Sequence, residues 1–189
     1  MKLNLGCGQH KIEGYINVDQ HGEADVIHNL EAFPWPWSDN SVEEIMAAHI
    51  LEHLGVDFNI FAKIIQEIYR ISVPNGLIKI VVPHPRHDYY TCDPTHVRPI
   101  TPDLFRLFSK RLNQEWANKG FSNSPLGLYF NVDFEVEKIE EQLDRKYELF
   151  HKLTGRSDAD LEFAKEHFFN IIAQTEIVLR VVKKSSEPA

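Results

Sequence analysis

Cysteine is scarce: the 189 residues contain only Cys7 and Cys92. Their separation matches neither a metal knuckle nor a disulfide framework, so a reducing compartment is expected. Long apolar runs are missing too, and the first residues lack the charged stretch and apolar core of a secretory leader. The expectation is a cytoplasmic protein without a membrane partner. Positive charge is in short supply, with 20 Lys and Arg against 28 Asp and Glu and a formal net charge of -8. A broad phosphate-backbone interface needs a basic face to displace counterions. Nucleic acid is therefore a secondary expectation, resting on one local strip of Arg106, Lys110, Arg111 and Lys119. There is no internal repeat and no sign of a second core. One domain over residues 1–184 is expected, with 185–189 as a disordered polar tail.

What is present is enough for a packed core, with 43% hydrophobic and 11% aromatic residues. The chain is organised around Lys2-Leu3-Asn4-Leu5-Gly6-Cys7-Gly8. A short apolar segment ending in Gly-x-Gly reads as a strand delivering its backbone to a tight turn, because glycine tolerates positive φ and lets a ligand approach the main chain. The next apolar run, Tyr15-Ile16-Asn17-Val18, closes on Asp19, and an acidic residue there can hold both hydroxyls of a ribose. Asp19 follows Gly8 by eleven positions, Lys11 stands where a dinucleotide fingerprint has its third glycine, and nine residues separate the two runs. The missing glycine and the short crossover, with room for a helical turn or two, disfavour a nicotinamide site.

Ala24 to Leu30 reads as a third strand with Asn29 at its polar exit. Phe33-Pro34-Trp35-Pro36-Trp37 follows, where the prolines forbid regular structure. Its tryptophans are read as pinning the loop to the core, with stacking on a nucleobase as the alternative. Val42 to His49 leads into a fourth strand ending at His49. Asp57 is placed to cap a helix whose Phe58, Phe61, Ile64, Ile65, Ile68 and Ile71 share one face. That helix is expected to end at Pro74-Asn75-Gly76, before a fifth strand, Leu77 to Pro83, apolar almost throughout as an interior parallel strand should be. Alternating strands and connections imply an α/β open sheet whose ligands sit at the carboxyl ends of the strands. On that rule Gly6 to Gly8, Asp19, Asn29, His49 and His84 converge on one edge.

His84 to Arg98 is the segment richest in polar groups and reads as a loop over the strand ends. His49, His84, His87 and His96 are candidates for accepting a proton near neutral pH, each weighed against an ordinary packed or surface histidine. His84, His87, Asp93 and His96 are also the residue types of a zinc, iron or manganese site, but their spacing matches no standard one and no metal is assigned. Arg86 and Arg98 suit an anionic acceptor, the alternative being pairs with Asp88, Asp93 or Asp103. Tyr89 and Asp93 complete the candidate substrate-binding set. Thr101-Pro102-Asp103 starts a helix reaching about Phe108. Residues 110–127 read as irregular, and Phe130, Val132, Phe134 and Val136 alternate as a half-buried strand. Helices over about 142–153 and 158–168 precede a last strand near 176–182.

Together, Leu3 to Gly8, Asn17-Val18-Asp19, His49 to Leu54 and Val73-Pro74-Asn75-Gly76 resemble a class I S-adenosylmethionine-dependent methyltransferase. Nearest is the small type-11-like kind with a shortened first helix. The resemblance implies a Rossmann-like, mostly parallel seven-stranded sheet with an antiparallel last strand and helices on both faces. A helical insertion over about 141–170 would lie in the final hairpin. The implied cofactor is S-adenosyl-L-methionine, with Gly6, Cys7 and Gly8 at its methionine part, Asp19 on the ribose and Leu5 among the cofactor-binding residues. Asn29 and Leu30 would flank the adenine and His49 would lie near the sulfonium. Asn29 stands where family members often carry Asp, and its carbonyl can still accept from the adenine amino group. The implied reaction is O- or N-methylation of a small-molecule or saccharide-like acceptor. No Asp/Asn-Pro-Pro-aromatic motif of DNA-amine methylation occurs. The alternatives are a cofactor-binding regulator that has lost transfer and a nucleic-acid methyltransferase.

Overall fold

A computed structural model describes residues 1–183; the expected 185–189 tail lies outside the described residues. Seven strands form one sheet in the order β3-β2-β1-β4-β5-β7-β6. They are β1 Lys2–Leu5, β2 Ile16–Asp19, β3 Val26–Ile27, β4 Val42–Ala48, β5 Ser72–Pro83, β6 Phe134–Leu143 and β7 Ile172–Val181. The first five pair in parallel, and β7 runs antiparallel between β5 and β6. Leu3, Val18, Ile45, Ile80 and Leu179 are buried from these strands, as interior strands with both faces covered require. The helices α1 Phe58–Ile71, α2 Asp88–Thr91, α3 Pro102–Arg106, α4 Lys110–Asn118, α5 Leu126–Tyr129, α6 Arg145–Thr154 and α7 Asp158–His167 flank the sheet. In α1 the predicted face is buried from Phe61 to Ile71, and Asp57 caps it by accepting from the Asn59 amide. Among the described residues no helix is long and apolar enough to cross a membrane.

The Rossmann-like α/β sheet with its antiparallel last strand is as expected, but several element boundaries are corrected. The crossover after β1 contains turns and no helix. Its backbone is held instead by buried side chains: Asn4 Nδ2 donates to His10 O and Asn17 Oδ1, both at 2.9 Å. Asn17 Oδ1 also accepts from the Ile12 amide at 2.8 Å. The third strand shrinks to two residues because Asp25 Oδ2 accepts from both nitrogens of Asn17, which makes that segment a brace. Helix α1 stops at Ile71, and Pro74-Asn75-Gly76 lies within β5 as an irregularity between the pairs Val42↔Ser72 and Glu44↔Leu77, with Asn75 at φ 61. Residues 110–127 are irregular only over 119–125: Ser109 caps α4 and Leu126–Tyr129 forms α5. The alternating strand starts at Phe134, because Asn131 turns the chain at φ 53.

Two helices, α6 and α7, occupy the connection between β6 and β7, close to the expected insertion. The tryptophan loop follows its packing reading: Trp35 is buried and its indole N–H donates to Leu30 O at 3.0 Å.

Candidate active site

The glycine turn leaves β1 with Gly6 at φ +65 and Gly8 at φ +49. A Cβ on Gly6 would lie 2.5 Å from Ile50 Cγ1, so only glycine fits, whereas one on Gly8 would meet nothing within 4 Å. The turn is tied to β2 at two points: the Cys7 amide donates to Val18 O at 3.0 Å and the Gly8 amide to Asp19 Oδ2 at 2.9 Å. Asp19 Oδ1 accepts from the His21 amide at 3.0 Å. Two backbone amides therefore fix one carboxylate at the carboxyl edge of the sheet. Gly6, Asp19, Asn29, Leu30, Ile50 and His53 line a cavity of about 270 Å³. A second hollow of about 540 Å³, with Gly8, Lys11 and His21 in its wall, shares Asp19 with the first.

The remaining expected cofactor contacts are arranged differently. Leu5 and Cys7 are buried and line neither hollow. Burial pushes the Cys7 thiol pKa up, and the nearby Asp19 charge adds to it. Asn29 Oδ1 already accepts from the Glu31 amide at 2.9 Å, which fixes the side chain.

Beyond β4 the chain bends sharply, with His49 at φ 52 and its amide donating to Val81 O. The His49 imidazole is half exposed, and its Nδ1 is 3.5 Å from Oε1 of the buried Glu52. The Glu52 contact, with a smaller contribution from Gln174, outweighs burial and holds the His49 pKa above its ordinary value.

Hydrogen-bond partners sort the four candidate histidines. His84 Nδ1 accepts from the Arg86 amide at 3.2 Å, so the neutral ring carries its proton on Nε2; burial lowers its pKa and the Arg86 charge adds to that. His87 is buried, its Nδ1 accepts from the Tyr89 amide at 3.0 Å to cap α2, and its Nε2 faces Asp144 Oδ2 at 3.4 Å. Both His87 nitrogens are thus structural. His96 is the reverse case: Nδ1 lies 2.7 Å from Tyr90 O, a carbonyl that only accepts, so the neutral ring carries its proton on Nδ1 with the lone pair on Nε2.

The two arginines are engaged, and not with the aspartates named as alternatives. Arg86 donates to the carbonyls of Lys165 and Glu166 at the end of α7. Arg98 donates to Gly55 O at 2.6 Å and lies over the Phe61 ring at 4.6 Å. Tyr89 is exposed, and Asp93 accepts from the Thr95 amide and hydroxyl. The basic strip is paired off: Arg106 with Asp103, Arg111 with Glu135, Lys119 with Glu115, and Lys110 Nζ with Asn131.

Outside the residues expected from the sequence stand Asn4, Asn17 and Asp25, which hold the crossover that follows the glycine turn, and Glu52 and His53. The signal for the asparagines was present, since a polar residue inside an apolar strand must find partners when buried.

No protein-family model matches the chain, and no curated protein matches it. Solved structures do. A SAM-dependent methyltransferase from Archaeoglobus fulgidus superposes with a TM-score of 0.59 at 18% identity, covering 95% of this chain and 85% of that one. One from Methanosarcina mazei gives 0.53 at 14% identity, covering 97% and 92%. The 1,6-didemethyltoxoflavin-N1-methyltransferase of Burkholderia thailandensis, solved with 1,6-didemethyltoxoflavin and S-adenosylhomocysteine, gives 0.53 at 9%, covering 96% and 71%. The chain has the class I methyltransferase fold.

Proposed function

We propose that this chain binds S-adenosylmethionine at the Gly6–Asp19 edge and methylates an oxygen or nitrogen of a small-molecule or saccharide-like acceptor. The observation that carries the reading is the shared cavity of Gly6 and Asp19: a turn only glycine can make, beside a carboxylate fixed by two backbone amides. When bound, the cofactor supplies a methyl group on a sulfonium, which leaves by in-line displacement and so asks the protein chiefly for alignment. In this proposal Asp19 takes the ribose hydroxyls, and Asn29 and Leu30 border the adenine from the cavity wall. His49, at the exit of β4, stands on the acceptor side. Tyr89 and Asp93 are offered to the acceptor, whereas Arg86, Arg98 and His87 act as structural ties. The acidic net charge and the paired basic strip favour a small acceptor over nucleic acid. A neighbour that takes 1,6-didemethyltoxoflavin is in keeping with that choice.

Calorimetric titration with S-adenosylhomocysteine tests the first half. One site is expected, and Asp19→Ala should weaken it at least about tenfold, equivalent to about 1.4 kcal/mol. No heat at millimolar ligand would end the cofactor assignment. A methyl-transfer screen over hydroxylated and amino acceptors tests the second half; binding without turnover across that screen favours a cofactor-binding regulator.

A further inference from the structure

Glu52 is the most poorly satisfied polar side chain among the described residues. It is 1% exposed, and neither carboxyl oxygen has a hydrogen-bond donor. The nearest cationic group, His49 Nδ1, lies 3.5 Å from Oε1, beyond good hydrogen-bond geometry. A buried carboxyl without a donor is costly and calls for a partner.

Two imidazoles face the same place. His53, His96 and Glu52 each offer a ligand atom within 4.8 Å of the other two. The tautomers are set by second partners. His53 Nδ1 is 2.9 Å from Thr95 Oγ1, and that hydroxyl donates its own proton to Asp93 Oδ1 at 2.6 Å. Thr95 Oγ1 therefore accepts, and His53 Nδ1 carries the proton. His96 Nδ1 donates to Tyr90 O at 2.7 Å. Both rings keep a lone pair on Nε2, and each is oriented by an acceptor at Nδ1, the arrangement that metal-ligating histidines use. Asp93 Oδ2 lies 3.9 Å from His96 Nε2 and adds a further acidic group at the rim. The chain brings these groups together because the Val97 amide donates to Glu52 O at 2.8 Å, which docks the loop after β5 on the 3-10 turn Leu51–His53.

We infer that Glu52, His53 and His96 bind a divalent first-row transition-metal ion through one carboxyl oxygen and two Nε2 atoms. Two imidazoles and a carboxylate suit zinc, iron, manganese or cobalt. Ligands at about 2.0–2.2 Å from an ion sit about 3.3 Å apart in a tetrahedral shell, so side-chain closure of at most about 1.5 Å assembles the shell. Of the four residues first weighed as metal ligands, His96 is retained. His84 and His87 belong to another part of the loop, and Asp93 stays outside the set. The site adjoins the cofactor cavity, since His53 lines it, but the inference stands on these side chains and not on methyl transfer.

The test uses the full chain, stripped with chelator and titrated separately with Zn²⁺, Mn²⁺ and Co²⁺ by calorimetry, with Co²⁺ also read by visible absorption. One equivalent is expected at a Kd below about 10 μM for at least one ion, with cobalt bands of mixed nitrogen and oxygen ligation. Glu52→Gln and His96→Gln should each weaken binding at least about tenfold, and Thr95→Val, which removes only the orienting hydroxyl, about tenfold. His151→Gln, on α6, should change nothing. Circular dichroism establishes that each variant is folded, and His96→Gln on the loop serves should Glu52→Gln not be. No binding of any ion at 1 mM, or stoichiometric binding undiminished in folded Glu52→Gln or His96→Gln protein, overturns the inference. S-adenosylhomocysteine binding is measured in the same preparations, so failure of the metal site and failure of the cofactor reading give different results.

Discussion

Gly6→Ala and Gly8→Ala look equivalent in the sequence, and the structure predicts that they are not. Both glycines have positive φ, a conformation that costs a residue with a Cβ about 1–2 kcal/mol. For Gly8 that is the whole penalty, since its added Cβ would meet nothing within 4 Å. For Gly6 the new atom falls 2.5 to 2.7 Å from Cγ1, Cβ and Cδ1 of Ile50, against about 3.5–4.0 Å for carbon atoms in contact. Ile50 must move about 1 Å, and overpacking of this kind costs about 1–3 kcal/mol. The expected losses are about 1 kcal/mol for Gly8→Ala and about 3 kcal/mol for Gly6→Ala. For a chain of this length those correspond to falls in Tm of about 2–4 °C and about 6–12 °C. Thermal unfolding followed by circular dichroism measures both. Ile50→Ala in the Gly6→Ala background should return at least about 1 kcal/mol as a coupling energy. Because Ile50 is also cavity wall, Gly6→Ala should weaken S-adenosylhomocysteine at least about tenfold. Equal melting temperatures for the two glycine variants, or a coupling under about 0.5 kcal/mol, would refute the reasoning.

Asn17→Ala should cost about 2–3 kcal/mol, because it strips partners from Asn4, Asp25 and the Ile12 amide at once; urea unfolding with a loss under about 0.5 kcal/mol would remove the brace from the account. Glu44 gives a pH dependence: burial alone would raise its pKa, but hydrogen bonds from Lys79, Tyr15 and Lys2 outweigh this and bring it down to about 2. A folded pKa below the unfolded one stabilises the protein fully above about pH 4.5 and ceases to do so as pH falls through about 2. Glu44→Gln should therefore be less stable than the parent by about 1 kcal/mol at pH 7, allowing for solvent screening, with the gap closing towards pH 2; a gap that is flat with pH contradicts this. Arg86→Ala removes two donors from the end of α7 and should cost about 1–2 kcal/mol, speed proteolysis within residues 145–167, and leave S-adenosylhomocysteine affinity within about twofold. Weaker ligand binding at unchanged stability would return Arg86 to the binding site.

The sheet was legible because its signals are local. Apolar runs of four to seven residues ending in Gly6, Asp19 or His49 identify strands and their exits without distant information. Element edges were less so: Pro74-Asn75-Gly76 is turn chemistry in any context, and only the register between β4 and β5 makes it an irregularity within a strand. Helix α4 is hard to read from the sequence because its one fully buried residue is Asn113 and its apolar face is only Leu112 and Trp116, both partly buried. At the site, residue type predicted location better than role. Arg86 and His87 reach partners 57 to 80 positions away; a backbone carbonyl or a capping carboxylate that distant leaves no mark in composition. Glu52 and His53 carry no signal of their own within His49 to Leu54, because what distinguishes them is a loop arriving from residue 97.

The loop after β5 is moored at both ends: residues 86–88 to the insertion, and residues 95–98 to the segment after β4, where Val97 bonds Glu52 O and Arg98 bonds Gly55 O. The Asp88 amide and carboxylate both bond the Asn170 side chain, the Asn170 amide donates to Arg86 O, and Arg86 in turn holds the end of α7. No strand on the Gly6–Asp19 half takes part in these ties. The fold therefore divides inheritance between two halves. Lengthening or replacing α6 and α7 would re-aim the Arg86–Tyr89 end of the loop, while the Thr95–Val97 end stays on Leu51–His53 and the glycine turn and Asp19 stay as they are. Under the proposed function, an edit at that one hairpin tip reaches the Tyr89 end of the acceptor loop and leaves the other end of the sheet undisturbed.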